Sequence, residues 1–211
     1  MAVRRASNRS GNYEFTYRGP IRLFIELMFL FGSAFDTDPQ YPWASQILGA
    51  PDDQMLRAEQ LRDKTLDYQK KVSGSDAANT HKALRDLSVW AKKPVIFSSN
   101  QFTPGMQQEM AHIFPQKAAY IGEEGLTVLI SEGSAEARQY QFPTIRGDAL
   151  VVALMFAFGH GCTDDPLYPW ISQTLKDERI IDPAARVERL EKETLAWLDR
   201  ILARPQKGDQ T

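Results

Sequence analysis

Two stretches of the chain are apolar at nearly every position, and both predict buried helices. They cover residues 21–31 and 149–158, and each is followed by a glycine, Gly32 or Gly159. A helix that is apolar on all sides is surrounded by protein, and a glycine after its last turn allows the left-handed conformation that commonly ends a helix. Both stretches are shorter than the roughly 20 apolar residues that span a bilayer. We therefore expect two central core helices and no membrane segment.

A polar loop, a short helix and a longer amphipathic helix are predicted after each apolar stretch. In both places the loop ends in the pattern Asp-Pro-X-Tyr-Pro-Trp. Because proline fixes φ and suits the first turn of a helix, this pattern predicts a bend followed by a short helix over residues 42–48 and 169–175. A third helix is predicted to start near Asp53 or Asp182, which are good N-cap residues. The chain thus contains the same three-helix pattern twice.

The two three-helix patterns are copies of one sequence. Residues 27–48 and 154–175 align without a gap at an offset of 127, and 13 of the 22 positions are identical. Unrelated sequences would share about one or two of these positions. The match continues more weakly on both sides, which gives a first unit of residues 13–72 and a second unit of residues 140–203. We expect the two units to form one compact body with pseudo-two-fold symmetry.

The insert between the units, residues 73–139, has a different pattern. Residues 76–90 predict one helix, and the Thr-Pro sequence at Thr103 predicts the start of another. Residues 126–130 and 138–142 are short runs rich in β-formers, and the small residues between them predict a β-hairpin. The predicted fold class is therefore α+β and mostly α, with two duplicated three-helix units flanking a small insert that contains the hairpin.

The composition is that of an ordinary soluble globular protein. The chain has 211 residues, of which 43% are hydrophobic and 25% are charged, and its formal net charge is −2. Nucleic-acid binding usually requires a strongly basic domain or stripe, so we expect no nucleic-acid partner. The single cysteine, Cys162, excludes an intramolecular disulfide and favours the cytoplasm. The polar ends, residues 1–12 and 204–211, are predicted to be disordered tails.

Both units keep a Tyr-Pro-Trp sequence that has a structural and a functional interpretation. In the structural one, Trp43 and Trp170 pack the short helix against the central helix, and Tyr41 and Tyr168 place a hydroxyl at the rim. In the functional one, tyrosine and tryptophan held by proline form a rigid patch of the kind that anchors protein interfaces. The two are compatible if the tryptophans are buried and the tyrosines are exposed. These four residues are the candidate partner-binding residues.

One cluster in the second unit has the chemistry of a metal site. His160, Cys162, Asp164 and Asp165 lie within six residues, and zinc binds such side chains. The matching loop of the first unit has no histidine and no cysteine, so the loop can be built without them. We therefore expect no metal and no other cofactor. A metal-dependent hydrolase with an asymmetric site at His160, Asp164 and Asp165 is the alternative hypothesis.

Two acidic residues, Asp38 and Asp165, occupy the same position in the two loops. A carboxylate before proline commonly accepts backbone N–H bonds from the turn that follows, and we expect that role. The alternative is an acidic pair for hydrolysis, which requires both carboxylates to face one cleft. The sequence contains no nucleophile elbow, phosphate-binding glycine loop, CxxC or HExxH motif. These observations favour a protein that is not an enzyme.

The repeated motif resembles that of a group of bacterial proteins. Its elements are Leu-Met-Phe, an aromatic residue and glycine, then a loop, Asp-Pro, an aromatic residue, Pro-Trp and an amphipathic helix. It is similar to a motif in small uncharacterised proteins associated with type VI secretion gene clusters, near the spike protein and its effectors. The resemblance covers the two units and not the insert. It implies a non-enzymatic accessory protein that binds a partner protein, as an effector chaperone, an adaptor or an immunity protein.

Overall fold

A computed structural model describes residues 8–95 and 97–203, which form helices joined by turns, with no strand among them. Short 3₁₀ turns connect several of the helices. A π-helical turn, Gln69–Ser73, continues the helix that ends at Tyr68. Besides a short helical segment at residues 8–11, the α-helices are α1 (Arg18–Phe31), α2 (Pro42–Leu48), α3 (Gln54–Tyr68), α4 (Ala78–Trp90), α5 (Phe102–Ile113), α6 (Pro115–Gln139), α7 (Ile145–Phe158), α8 (Pro169–Leu175) and α9 (Pro183–Leu202).

The three helices predicted in each unit are confirmed. Helices α1 to α3 form the first unit and α7 to α9 form the second, and both short helices have the predicted bounds. Asp53 and Asp182 are the N-caps of α3 and α9. The Asp53 carboxylate accepts the N–H of Met55 at 2.7 Å, and that of Asp182 accepts the N–H of Ala184 at 3.1 Å. These bonds satisfy donors that the first turn of a helix leaves without a partner.

The predicted β-hairpin is wrong, and the α+β fold class is wrong with it. Helix α6 runs through residues 126–139, which hold the first predicted strand and the start of the second. Leu126, Leu129 and Ile130 are buried on one helical face. Gly133 was interpreted as part of a turn, but it brings α6 close to α7. A Cβ added to Gly133 would lie 2.7 Å from Cγ2 of Val152.

The described residues of the insert therefore form only helices and the turns and loops that join them, and the insert packs mainly on the second unit. The helix predicted from Thr103 begins one residue earlier, at Phe102. Helices α5 and α6 pack on α7, and α4 packs on α9. Helix α6 bends at Gly122, where φ is 77° and ψ is 169°, and its first turns reach the first unit, where Tyr120 stacks edge-on against Tyr68. The pseudo-symmetry thus relates the two units but does not include the insert.

The segment before α1 belongs in part to the folded body. Residues 8–11, predicted to lie in a disordered tail, are helical, and Ser10 is fully buried. Arg9 donates from Nε to the Asp36 carboxylate at 2.8 Å. The rest of the predicted tails, residues 1–7 and 204–211, lies outside the described residues. Within residues 8–95 and 97–203, no helix has the combination of length and apolar character that crossing a membrane requires.

Candidate functional site

The two units meet where their central helices end. Gly32 and Gly159 have nearly the same backbone conformation, with φ of 100° and 98°, a region that favours glycine. Positive φ was predicted, but ψ is extended, at 155° and 151°, rather than left-handed helical. A Cβ on Gly32 would lie 2.7 Å from the carbonyl oxygen of Phe158, and one on Gly159 would lie 2.7 Å from that of Phe31. A side chain at either glycine would push the units apart.

Asp38 and Asp165 join the units at this junction in a reciprocal way. Each is 2% exposed. In each carboxylate, one oxygen accepts an N–H from its own turn and the other accepts an N–H from the opposite unit. The donors are Gln40 at 2.9 Å and His160 at 2.8 Å for Asp38, and Leu167 at 2.8 Å and Ser33 at 2.7 Å for Asp165. The predicted turn-building role is confirmed, and the second bond of each aspartate was not predicted.

A buried lysine from the insert completes the junction on one side. Lys117 of α6 is 3% exposed, and its ammonium donates to the carbonyl oxygen of Phe156. Its Nζ also lies over the rings of Phe156 and Tyr41, 5.1 Å and 5.6 Å from the ring centroids. Next to it, the Gln40 amide donates both to Asp38 at 3.1 Å and to the carbonyl oxygen of Met155 at 3.0 Å. The last turn of α7 is thus held by two side chains from elsewhere in the chain.

Burial shifts the pKa values of Lys117 and Asp38 in this network. It lowers the pKa of Lys117 from 10.5 to about 8, and the nearby Asp38 charge partly offsets this change. Burial raises the pKa of Asp38, and the charge and the backbone N–H of His160 oppose the rise. A buried amine of this pKa has the chemistry of a catalytic lysine. Because Lys117 is almost fully covered, a substrate has no access to the amine in this arrangement.

Sequence reasoning missed Lys117 and Gln40. Lys117 lies in the insert, so the duplication gives it no counterpart. Gln40 corresponds to Leu167, and this difference between the two copies was the one available signal. Gln40 is polar where the second unit has the apolar Leu167. Such a replacement, close to the junction aspartates and to the end of a helix, indicates a hydrogen bond that only one unit forms.

The four candidate partner-binding residues differ in exposure. Tyr41 was expected at the surface and is instead 2% exposed, and Trp43 is 8% exposed. Both rings pack against Phe31, with centroids 4.5 Å and 5.7 Å away. Tyr168 and Trp170 are partly exposed, and Trp170 lines a surface concavity of about 820 Å³ between α8 and α9. Burial leaves little of Tyr41 or Trp43 for a partner, and a binding role for Tyr168 and Trp170 stays a prediction.

The residues of the alternative metal site do not converge on one point. The Nδ1 atom of His160 lies 3.2 Å from the Glu132 carboxylate, and Asp164 forms an ion pair with Lys176. Asp165 is buried and accepts its two backbone N–H bonds at the junction. Among the residues that the structure describes, no three His, Cys, Asp or Glu side chains are grouped so that they could hold a metal ion. The geometry gives the metal-dependent hydrolase hypothesis no support.

The first unit exposes more large apolar side chains than the second unit, in which Ile181 is the one exposed among the described residues. Six of the nine exposed large apolar side chains in the described part of the chain belong to the first unit or its leading turn: Tyr17, Phe29, Leu30, Met55, Leu56 and Leu66. The second unit has alanine at the counterparts of Leu30, Met55 and Leu56. Phe29 is 55% exposed, whereas its counterpart Phe156 is 1% exposed. Folding of the three-helix unit therefore does not require large apolar side chains at the positions of Leu30, Met55 and Leu56.

Comparison with known proteins shows no relationship. No protein-family model matches the chain, and no curated protein and no solved structure matches it. The similarity of the repeated motif to proteins of type VI secretion clusters stays a prediction.

Replacing Asp38 or Asp165 by asparagine tests the reciprocal bonds. Either replacement puts an NH₂ group at a carboxylate oxygen that accepts an N–H, and hydrogen bonds to charged acceptors contribute about 1.5–3 kcal/mol each. We expect each variant to lower the free energy of urea unfolding by about that amount. The effects should not be additive in the double variant, because both residues fix one junction. The exposed Asp164→Asn is the matched control, with a change of about 0.5 kcal/mol or less. Equal stability of all three single variants would contradict the role of the two aspartates.

The depressed pKa of Lys117 predicts a pH-dependent stability. Between about pH 8 and 10.5 the unfolded chain binds more protons than the folded one, so folding stability rises with pH across that window. From about pH 7.5 to 9.5, unfolding measurements should show a gain of about 2 kcal/mol for the natural protein relative to Lys117→Met. Taking the difference removes the contributions of tyrosines and Cys162. Parallel pH profiles for the natural protein, Lys117→Met and Lys117→Gln would contradict the burial of a charged amine.

Proposed function

We propose that the protein is a non-enzymatic accessory protein that binds a partner protein through its first unit. The observation that carries this proposal is the set of large apolar side chains that the first unit exposes and that are smaller or more buried at the equivalent positions of the second unit. Internal duplication supplies the comparison, because both units fold into the same three helices with different surfaces. Exposed apolar side chains that folding does not require are typical of an interaction surface.

The groups with catalytic chemistry support the same proposal, because the fold uses them. The carboxylates of Asp38 and Asp165 accept backbone N–H bonds, and the Lys117 ammonium binds a main-chain carbonyl oxygen. Each of these side chains is at most 3% exposed. A general acid or base must come within hydrogen-bond distance of the reacting group. The duplicated junction is therefore better suited to joining helices than to chemistry on a substrate.

The proposed setting is a bacterial secretion or toxin system, with the chain as an effector chaperone, an adaptor or an immunity protein. This part of the proposal depends on the resemblance of the repeated motif. All three roles require a stable complex with another protein, and all are compatible with a binding surface on one of two equivalent units. We place the protein in the cytoplasm on the basis of its single, reduced cysteine.

Co-expression with the products of neighbouring genes tests this proposal. We expect one product to co-elute with the chain in size-exclusion chromatography, and Leu30→Glu and Met55→Glu to weaken the complex at least tenfold. Both side chains are about half exposed, so these changes leave the core intact. Val128→Glu is the matched control, because Val128 of α6 is 43% exposed and lies outside the first unit. A chain that stays alone with every neighbour, or a complex that all three variants form equally well, would contradict the proposal.

A further inference from the structure

An open groove runs between α1 and α3 of the first unit. Two concavities, of about 650 Å³ and 360 Å³, adjoin at Leu23. The first lies beside the start of α3, where Met55 and Leu56 are exposed, and the second lies beside the end of α1, where Phe29 and Leu30 are exposed. We call this the α1–α3 groove. Its walls are two adjacent helices, and apolar side chains are exposed at both of its ends.

In the second unit, helices of the insert cover parts of α7 and α9, which are the counterparts of α1 and α3. Helix α4 packs on α9, and α5 packs on α7. The end of α4 is held by Arg146 of α7, whose guanidinium lies 5.1 Å from the centroid of the Trp90 ring. The same guanidinium donates to the carbonyl oxygens of Ala91 and of Lys93, and it contacts Glu191 of α9 at 3.4 Å. Helix α4 thus packs on the counterpart of α3, while the start of α9, where Ala185 and Glu188 are exposed, is left uncovered.

The exposure of equivalent residues follows this difference. Leu150 of α7 is fully buried, whereas its counterpart Leu23 in α1 is only partly buried. Phe156 of α7 is also buried, whereas its counterpart Phe29 in α1 is exposed. Both grooves are formed by helices of the duplicated sequence, although α1 lies against α3 more extensively than α7 lies against α9. Helix α3 of the open groove therefore has a counterpart, α9, on which a helix of the chain already packs.

We propose that the α1–α3 groove binds an amphipathic helix of the partner protein, which packs on α3 as α4 packs on α9. This inference rests on the proposed function and specifies the partner's binding element. The occupant should carry apolar residues at the spacing found on the buried face of α4, where Ala83, Leu87, Trp90 and Ala91 lie. An amphipathic helix in an apolar groove is a common form of protein recognition.

One charge difference between the grooves sets the chemistry of the occupant's C-terminal end. Arg62 of α3 stands where α9 has Glu191, and Arg62 lines the open groove. Asp53 and Glu59 line the same concavity nearer to the start of α3, and both have acidic counterparts, Asp182 and Glu188. In the second unit, Glu191 lies beside Arg146, which binds the C-terminal end of α4. A helix C-terminus carries partial negative charge, so the positive charge of Arg62 favours an occupant whose last turn ends beside it.

A peptide of the chain's own α4 provides the probe for this site. The probe is residues 78–93, labelled with fluorescein and held helical by a lactam between Lys82 and Asp86, which already form an i,i+4 ion pair in α4. We expect saturable binding to the full-length protein by fluorescence anisotropy. Leu30→Glu and Met55→Glu should weaken this binding at least tenfold, and Arg62→Glu should weaken it severalfold. Val128→Glu should leave it unchanged, and a peptide with Leu87→Glu should not bind.

Three outcomes would overturn the inference. Absence of binding would show that the groove does not accept an α4-like helix. Binding that Leu30→Glu and Met55→Glu leave unchanged would show that the peptide exchanges with α4 in the second unit. A concentration-dependent dimer in sedimentation that Leu30→Glu abolishes would make a second copy the occupant. If the peptide fails while a neighbouring gene product still binds in a Leu30-dependent manner, the helix inference is wrong and the proposed function stands.

Discussion

The close contact between Gly32 and Gly159 determines how the rest of the molecule can be arranged. At each glycine, the space that a Cβ would need is taken by a carbonyl oxygen at the end of the opposite central helix. The peptide groups that follow the two helices would lose water at such a junction, and unpaired buried N–H groups are costly. Asp38 and Asp165 supply the missing acceptors across the junction. The repeated Asp-Pro sequence therefore serves both the turn of its own unit and the contact between units.

The two units differ in how far their central helices are covered, although both come from one duplicated sequence. Helix α7 is enclosed because the insert packs on it, and Lys117 and Gln40 hold the carbonyl groups of its last turn. Helix α1 lacks such a cover and exposes Phe29 and Leu30 on its outer side. The insert thus covers the central helix of the second unit. The first unit keeps the same framework and exposes the apolar side chains on which the proposed function rests.

The elements with strong local signals could be predicted from the sequence. Proline at the first turn of α2 and α8, the aspartate N-caps of α3 and α9, and the glycines after α1 and α7 each act within a few residues. Helix α6 could not be assigned in this way, because a short run of Leu, Thr, Val and Ile suits a strand or a buried helix equally well. Its glycines were interpreted as a turn, whereas Gly133 is needed for contact with Val152, a residue far away in the sequence.

The candidate site was harder to predict than the helices, because it is formed by contacts between segments that are distant in the sequence. Comparison of the two copies correctly identified Asp38 and Asp165 as turn-building residues, but it did not show that each also binds the opposite unit. The exposure of Tyr41 was predicted from its phenol group, and the packing of α6 and Tyr68 buries it instead. Side-chain type indicates what a residue can bind. Tertiary packing decides which groups of the protein that residue contacts.

The amide hydrogens of Ser33 and His160 give the most direct measurement of the central claim that the reciprocal bonds join the units into one cooperative body. Both N–H groups donate to a buried carboxylate of the opposite unit. In native-state hydrogen exchange, both should exchange only through global unfolding, with one common free energy equal to that from urea denaturation. If either amide exchanges through a local opening several kcal/mol below that value, or if the two differ clearly, the units are not held together at this junction.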